Sequence, residues 1–444
     1  MKIRKKLYSA ALALIVTILF SAPAVTADGA DARLTPVKSG DDAIEIIDML
    51  GIYQGDAKDA YAISRIEYAV VIARALGYEA SNIPDEDPYK DFLKYEYASG
   101  EVSYLKERGI MIGDEEDCFH PDEPIDAQSA LIVGARALGY NYKIVSSPSP
   151  TIAALRVARD ADLDKGIDKS LKKINETDLK KIVYNILCAD YMEWEESAGA
   201  PLLTAVWKLE RVEGILSAND VTGLYYAGDK CRKDCVMIGE ESYTDGNGEG
   251  RKLLGRNVTA FVGNGTDEIQ YIYETNNKTL FSWEEQFTYG NFDLSYQNDD
   301  GKTIKYSLDQ RFAFIYNGKS IVFDESFFDE EEVEITLIDS DEDGLYDVVM
   351  VESYTYDIVK SVNLRLCEIV CKYSNESVQA ETDDNVIVEL YYNDIRTNDI
   401  ESVPERSLIK YYASEDFNKV CIYDSENITG VLNGKNKNYA LGSY

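Results

Sequence analysis

The hexapeptide Ala-Arg-Ala-Leu-Gly-Tyr occurs twice in this chain, at 73–78 and at 135–140. An internal repeat constrains architecture more than any single residue. Each copy is one supersecondary unit that buries its apolar face only against its neighbours. A second marker extends the pattern: Gly51-Ile52, Gly109-Ile110 and Gly166-Ile167 are spaced by 58 and 57 residues. A helix-like segment precedes each pair, at 42–50, 98–108 and 151–160, and a polar loop and a second helix follow. The sequence therefore predicts three helix–loop–helix units.

The second helix of each unit carries its own start and stop signals. In the first unit Ser64 precedes Arg65-Ile66-Glu67, the spacing of a capping box in which serine and glutamate satisfy each other's amides. Tyr68, Val71, Ile72 and Ala75 follow at helical spacing and predict an inward stripe. Leu179, Ile182, Val183 and Ile186 repeat that stripe 111 residues later, behind the cap Asn175. In the second unit Asp126 is the cap, and Arg136-Ala137-Leu138-Gly139 ends the helix with glycine at the usual stop.

These residues resemble the S-layer homology domain. The second unit has that family's aromatic-Ala start (Tyr97-Ala98), its Gly109-Ile110, its Gly113-Asp114 loop and its F-x-P turn (Phe119-His120-Pro121). The first has Ile63-Ser64-Arg65-Ile66-Glu67 in place of the family's I-T-R-A-E, and both end in R-A-L-G. The resemblance spans about 150 residues and implies an all-α, pseudo-threefold arrangement of three repeats. It also implies anchoring to anionic secondary cell-wall polysaccharide, or to the surface layer, through grooves between repeats. Arg65 and Glu67 are the wall-polysaccharide-binding residues it implies, arginine meeting the anionic sugar and glutamate capping the helix. The later units depart from the motif, with Asp126-Ala127-Gln128-Ser129 and Asn175-Glu176-Thr177-Asp178 where arginine would stand. The caps thus survive in every copy and the cation in one; Arg65 also reads as an ordinary first-turn residue.

The N-terminus and composition set the surroundings. Met1-Lys2-Ile3-Arg4-Lys5-Lys6, an apolar run to about Phe20 and Val25-Thr26-Ala27 read as a secretory signal peptide at 1–27. The run is too short for a membrane anchor and no later stretch is long enough, so membrane insertion is not expected. The formal net charge of −35 repels nucleic acid and anionic membranes and suits a hydrated extracellular protein. Seven cysteines, thinly scattered, do not make a disulfide framework, and the two C-x3-C pairs lack zinc spacing. They are expected as free or buried thiols.

Beyond a short bridging helix at about 200–209, β-branched and aromatic runs dominate, for example at 257–262, 333–338, 346–354, 362–370 and 408–412. Asn317-Gly318 between two such runs signals a hairpin. The expected fold is therefore multidomain, with all-α S-layer homology repeats at 40–80, 90–142 and 150–195. An all-β region, sandwich or barrel-like, follows as modules at 210–360 and 361–444.

One β-region motif carries chemistry. Asp339, Asp341, Asp343 and Asp347 lie in a D-x-D-x-D-G-x-x-D run, whose alternate carboxylates and sharp glycine turn are those of hard-cation loops. Calcium is the cofactor this implies. Met350 stands where an EF-hand needs glutamate, and an Asp-Gly turn with solvated carboxylates is the alternative. Asp245-Gly246-Asn247-Gly248-Glu249-Gly250 reads as a flexible loop. His120 is the sole histidine, so a nucleophilic triad would have to be built inside a repeat loop. The function expected is a non-catalytic, secreted cell-surface protein, associated with cell wall or surface layer and displaying β modules. The alternatives are a wall-attached glycoside hydrolase using two carboxylates of the β region, and a secreted interaction module whose repeats no longer bind wall polymer.

Overall fold

A computed structural model describes residues 35–36, 45–53, 61–79, 87–192, 199–275, 277–282, 287–298, 301–328 and 333–424. The segment read as a signal peptide lies outside the described residues.

The helices come in the predicted order. Short first helices α1 (Glu45–Met49), α3 (Ser99–Glu107) and α6 (Pro150–Asp160) alternate with second helices α2 (Arg65–Ala75), α4 (Ala127–Ala137) and α7 (Glu176–Cys188). A short α5 (Asn141–Val145) lies between α4 and α6. Each second helix starts on a side-chain cap: Ser64 accepts from the Glu67 amide, Asp126 from that of Ser129 and Asn175 from that of Asp178. The residue before each cap is a fully buried isoleucine, and these three tie the units together. The Ile63 amide donates to the Ile174 carbonyl (3.0 Å), Ile125 to Ile63 (3.0 Å) and Ile174 to Ile125 (3.1 Å). The three bonds close a ring around which α2, α4 and α7 touch pairwise.

The stripe Tyr68, Val71, Ile72 and Ala75 is buried, as is its counterpart on α7. Tyr68 is fully enclosed, and its hydroxyl donates to the Ala130 carbonyl on α4 at 2.8 Å. Tyr68→Phe would leave that carbonyl without this buried donor, so it should cost about 1–2 kcal/mol in urea denaturation.

The bridging helix is shorter than expected. Only α8 (Leu202–Ala205) is helical, and the chain enters a strand at Leu209. Leu202, Leu203, Leu209, Phe261 and Tyr273 join the same core as the helices, so helical units and first sheet share one apolar interior. Trp207 Nε1 donates to the Ala75 carbonyl (2.9 Å), and the Tyr184 and Tyr273 hydroxyls meet at 3.3 Å.

The C-terminal region is all-β, in several sheets. A five-stranded sheet occupies Leu209–Glu274, an eight-stranded sheet gathers Lys278–Ser353 with the two-residue strand Thr35–Pro36, and a seven-stranded sheet spans Thr355–Tyr423. The second sheet is buried on both faces. Ala313, Ile315, Ile338 and Val348 face the core shared with the first sheet, while Phe314, Leu337, Val349 and Val351 face a second core. Such two-sided burial explains why its strands read as continuous apolar runs. Asn317-Gly318 makes the expected two-residue hairpin, with φ positive at both residues (47° and 78°). The run at 362–370 is not one strand: Thr355–Asn363 and Glu368–Cys371 form a hairpin whose turn includes Cys367 at φ 54°. All seven cysteines are free thiols. No helix among the described residues is long and apolar enough to cross a membrane.

Candidate functional site

The cap of α2 places Arg65 at the first helical position, where its side chain leaves the first unit and enters the loop of the second. Its Nε donates to the Phe119 carbonyl (2.9 Å), one terminal nitrogen lies 3.4 Å from the Ile112 carbonyl, and the guanidinium stands 5.1 Å from the Phe119 ring centre. The backbone reinforces this contact, since the Arg65 amide donates to Glu123 O and the Ile66 amide to Pro121 O. Arg65 is thus half-buried in the seam between units one and two. Burial lowers its pKa, while Glu123, Tyr89, Asp91 and Asp114 work in the opposite direction.

Glu67 folds back along the same turn. Its Oε2 accepts from the Ser64 amide (2.8 Å) and hydroxyl (2.6 Å), so its carboxylate completes the capping box. The surrounding loop is held by acidic residues: Asp91 accepts from the amides of Phe119 and His120, and Asp114 Oδ2 lies 2.6 Å from His120 Nε2. Donation from His120 Nε2 to the Asp114 carboxylate raises the His120 pKa above its ordinary value. His120 is thus tied to Asp114 within the loop, and the Cys118 Sγ points to the Glu116 carbonyl.

The equivalent positions on the other second helices are Ala127 and Glu176. Alanine leaves the second seam without a cation there. Glu176 sits buried beside Lys180 Nζ (3.3 Å), which also pairs with Asp48 across the third seam (2.9 Å). The three seams thus differ in charge although each carries one bond of the isoleucine ring.

In the β region, an oxygen from each of Asp339, Asp341 and Asp347 lies within 4.8 Å of the others. Asp343 is not in that group; its Oδ1 accepts from the Leu345 amide. Sequence spacing suggested four convergent carboxylates, and the turn brings together three. Burial raises the Asp339 pKa, partly offset by the Gly344 amide.

A cavity of about 190 Å³ opens where the three sheets meet, and Glu352 and Glu389 line it. Glu352 accepts from Lys419 Nζ (2.7 Å) and the Tyr412 hydroxyl (3.1 Å). Burial opposes its charge, but Lys419 and Lys410 hold its pKa below the usual carboxylate range. Glu389 takes Arg251 Nη1 (3.4 Å) and the Tyr391 hydroxyl (3.1 Å). No local sequence signal marks this cluster, because its members come from strands far apart in the chain.

Three capped helix–loop–helix units are closed by a ring of backbone bonds, with a cation lodged in one seam. Residues 88–126, from the loop before α3 to the cap of α4, match the family model of the S-layer homology domain. The chain is an S-layer homology domain-containing protein, and that domain implies association with the cell wall or cell surface. No curated protein matches the chain.

Proposed function

We propose that this is a non-catalytic, secreted surface protein whose helical units stand about a pseudo-threefold axis and bind an anionic secondary wall polysaccharide. The contact lies at the Arg65 seam, and the β sheets serve as displayed structural or interaction modules. The observation that carries this reading is the position of Arg65: it reaches from the first unit onto Phe119 and Ile112, inside the segment that matches the family. The ring formed by Ile63, Ile125 and Ile174 supports the threefold arrangement. Lysine clamping keeps the Glu352 carboxylate charged, which argues against it as the general acid of a glycosidase pair.

A specific observation favours a second reading, in which the repeats no longer hold wall polymer. Asp91, Asp114 and Glu123 surround Arg65, and Glu176 replaces arginine in the third unit. The two readings separate in a titration of the protein with solubilised wall polysaccharide. Arg65→Ala should weaken binding about 10- to 100-fold if the guanidinium makes a charge-assisted contact. Saturable binding unaffected by Arg65→Ala would remove the seam from the account, and no binding by the unaltered protein would favour the second reading.

A further inference from the structure

The turn joining strands Val333–Asp339 and Tyr346–Ser353 draws three carboxylates together at the end of the central pair of the eight-stranded sheet. Like charges this close repel, and among the described residues none of the three forms an ion pair with lysine or arginine. Lys278 stands opposite Asp339 in the register, but its ammonium lies over the Tyr346 ring, 5.3 Å from the centroid. A second observation is independent of this crowding. Asp339 is 1% exposed, and its Oδ1 has no hydrogen-bond partner, while its Oδ2 accepts from the Gly344 amide. A buried carboxylate oxygen with no donor is costly and rare in folded proteins.

The chain contains its own comparison. The loop Asp245–Gly250 is wired in the same way: Asp245 Oδ2 accepts from the Gly250 amide (3.0 Å), Asn247 Oδ1 from the Glu249 amide (3.2 Å), and Asp245 Oδ1 is likewise unpartnered and buried. There, however, protein cations already act. Arg396 Nη1 donates to the Asn247 carbonyl (2.6 Å), Lys252 pairs with Glu249, and both Arg251 and Arg396 favour the Asp245 charge. The Asp339 loop has the third carboxylate and lacks those cations.

We propose that Asp339, Asp341 and Asp347 bind a calcium ion that fastens this turn. An all-oxygen, carboxylate-rich set on a turn suits a hard cation with adaptable coordination, and suits calcium better than zinc or magnesium. Further ligands would come from water and loop carbonyls. Binding stabilises only the folded protein, because the three carboxylates converge only there.

The test is calorimetric titration of the full chain with calcium chloride, paired with thermal unfolding at matched ionic strength. At about 10 mM calcium the melting temperature should rise by about 3–6 °C, given the weak affinities usual for extracellular sites. Asp341→Asn changes an exposed side chain and is expected to fold; it should weaken binding about tenfold or more. Asp339→Asn should abolish the shift, while Asp343→Asn should keep it. No binding heat and no shift in the unaltered protein would overturn the proposal. So would an undiminished shift in both Asp339→Asn and Asp341→Asn, which would mark general screening of an acidic surface.

Discussion

Arg251→Ala should lower folding stability by about 3–5 kcal/mol, because it strands two buried carboxylates. Arg251 is only 8% exposed and forks onto Asp220, with Nε to Oδ1 at 2.7 Å and Nη2 to Oδ2 at 2.8 Å. Its remaining terminal nitrogen faces Glu389 at 3.4 Å. Asp220 and Glu389 are both buried and belong to segments 169 residues apart, so the arginine ties the first sheet's loops to the third sheet. Burial alone would lower the Arg251 pKa, yet the two carboxylates raise it, which shows that the charge is matched where it sits. Arg251→Lys should lose less, because an ammonium keeps the charge but cannot present two parallel donors. Urea midpoints of the three proteins would check the ranking; equal midpoints would show that water reaches the pair.

Gly139→Ala should be the second large loss, about 3 kcal/mol or more, against about 1 kcal/mol for Gly166→Ala. Both glycines have positive φ, 84° and 73°, so both substitutions carry backbone strain. The difference is space. A Cβ at Gly139 would overlap the Met192 carbonyl oxygen, whereas a Cβ at Gly166 meets nothing within 4 Å. Met192 is held there by its amide, which donates to the Leu138 carbonyl (3.0 Å). The glycine of the repeated hexapeptide therefore lets the chain leaving the third unit pass against the end of α4. Matched denaturation curves would test this; similar losses at both sites would reduce the effect to φ alone.

Much of the helical half was legible because its signals are local. Caps, glycine stops and the stripe from Tyr68 to Ala75 each lie within a few residues of one another, and each appears where the spacing put it. The isoleucine before every cap was equally visible in sequence. Its role in a ring of backbone bonds was not, since that ring joins residues up to 111 apart. In the β half, runs at 333–338 and 346–354 were clear because that sheet is buried on both faces. The strand Leu209–Ala218 falls inside the expected β module but does not stand out as an apolar run, because glutamates and a glycine interrupt it on a half-exposed face. Of the candidate sites, the Asp339 turn was legible as a motif, but its membership depended on which aspartates turn toward one another. The cavity of Glu352 and Glu389 was invisible, because long-range strand pairing alone assembles it.

The sites also differ in what they ask of the surface charge. A net charge of −35 works against capture of an anionic polymer, so one half-buried arginine must act locally, where screening by salt is weak. The same charge favours divalent cations near the Asp339 turn and makes the matched-ionic-strength control there essential.

The central claim is attachment through the Arg65 seam, and co-sedimentation with purified cell walls tests it most directly. Parallel samples would use intact walls and walls stripped of secondary polysaccharide, with the unaltered protein and Arg65→Ala. The account predicts that the unaltered protein pellets with intact walls, stays soluble with stripped walls, and is largely released by Arg65→Ala. Equal pelleting of both proteins on intact and stripped walls, or none on either, would contradict it.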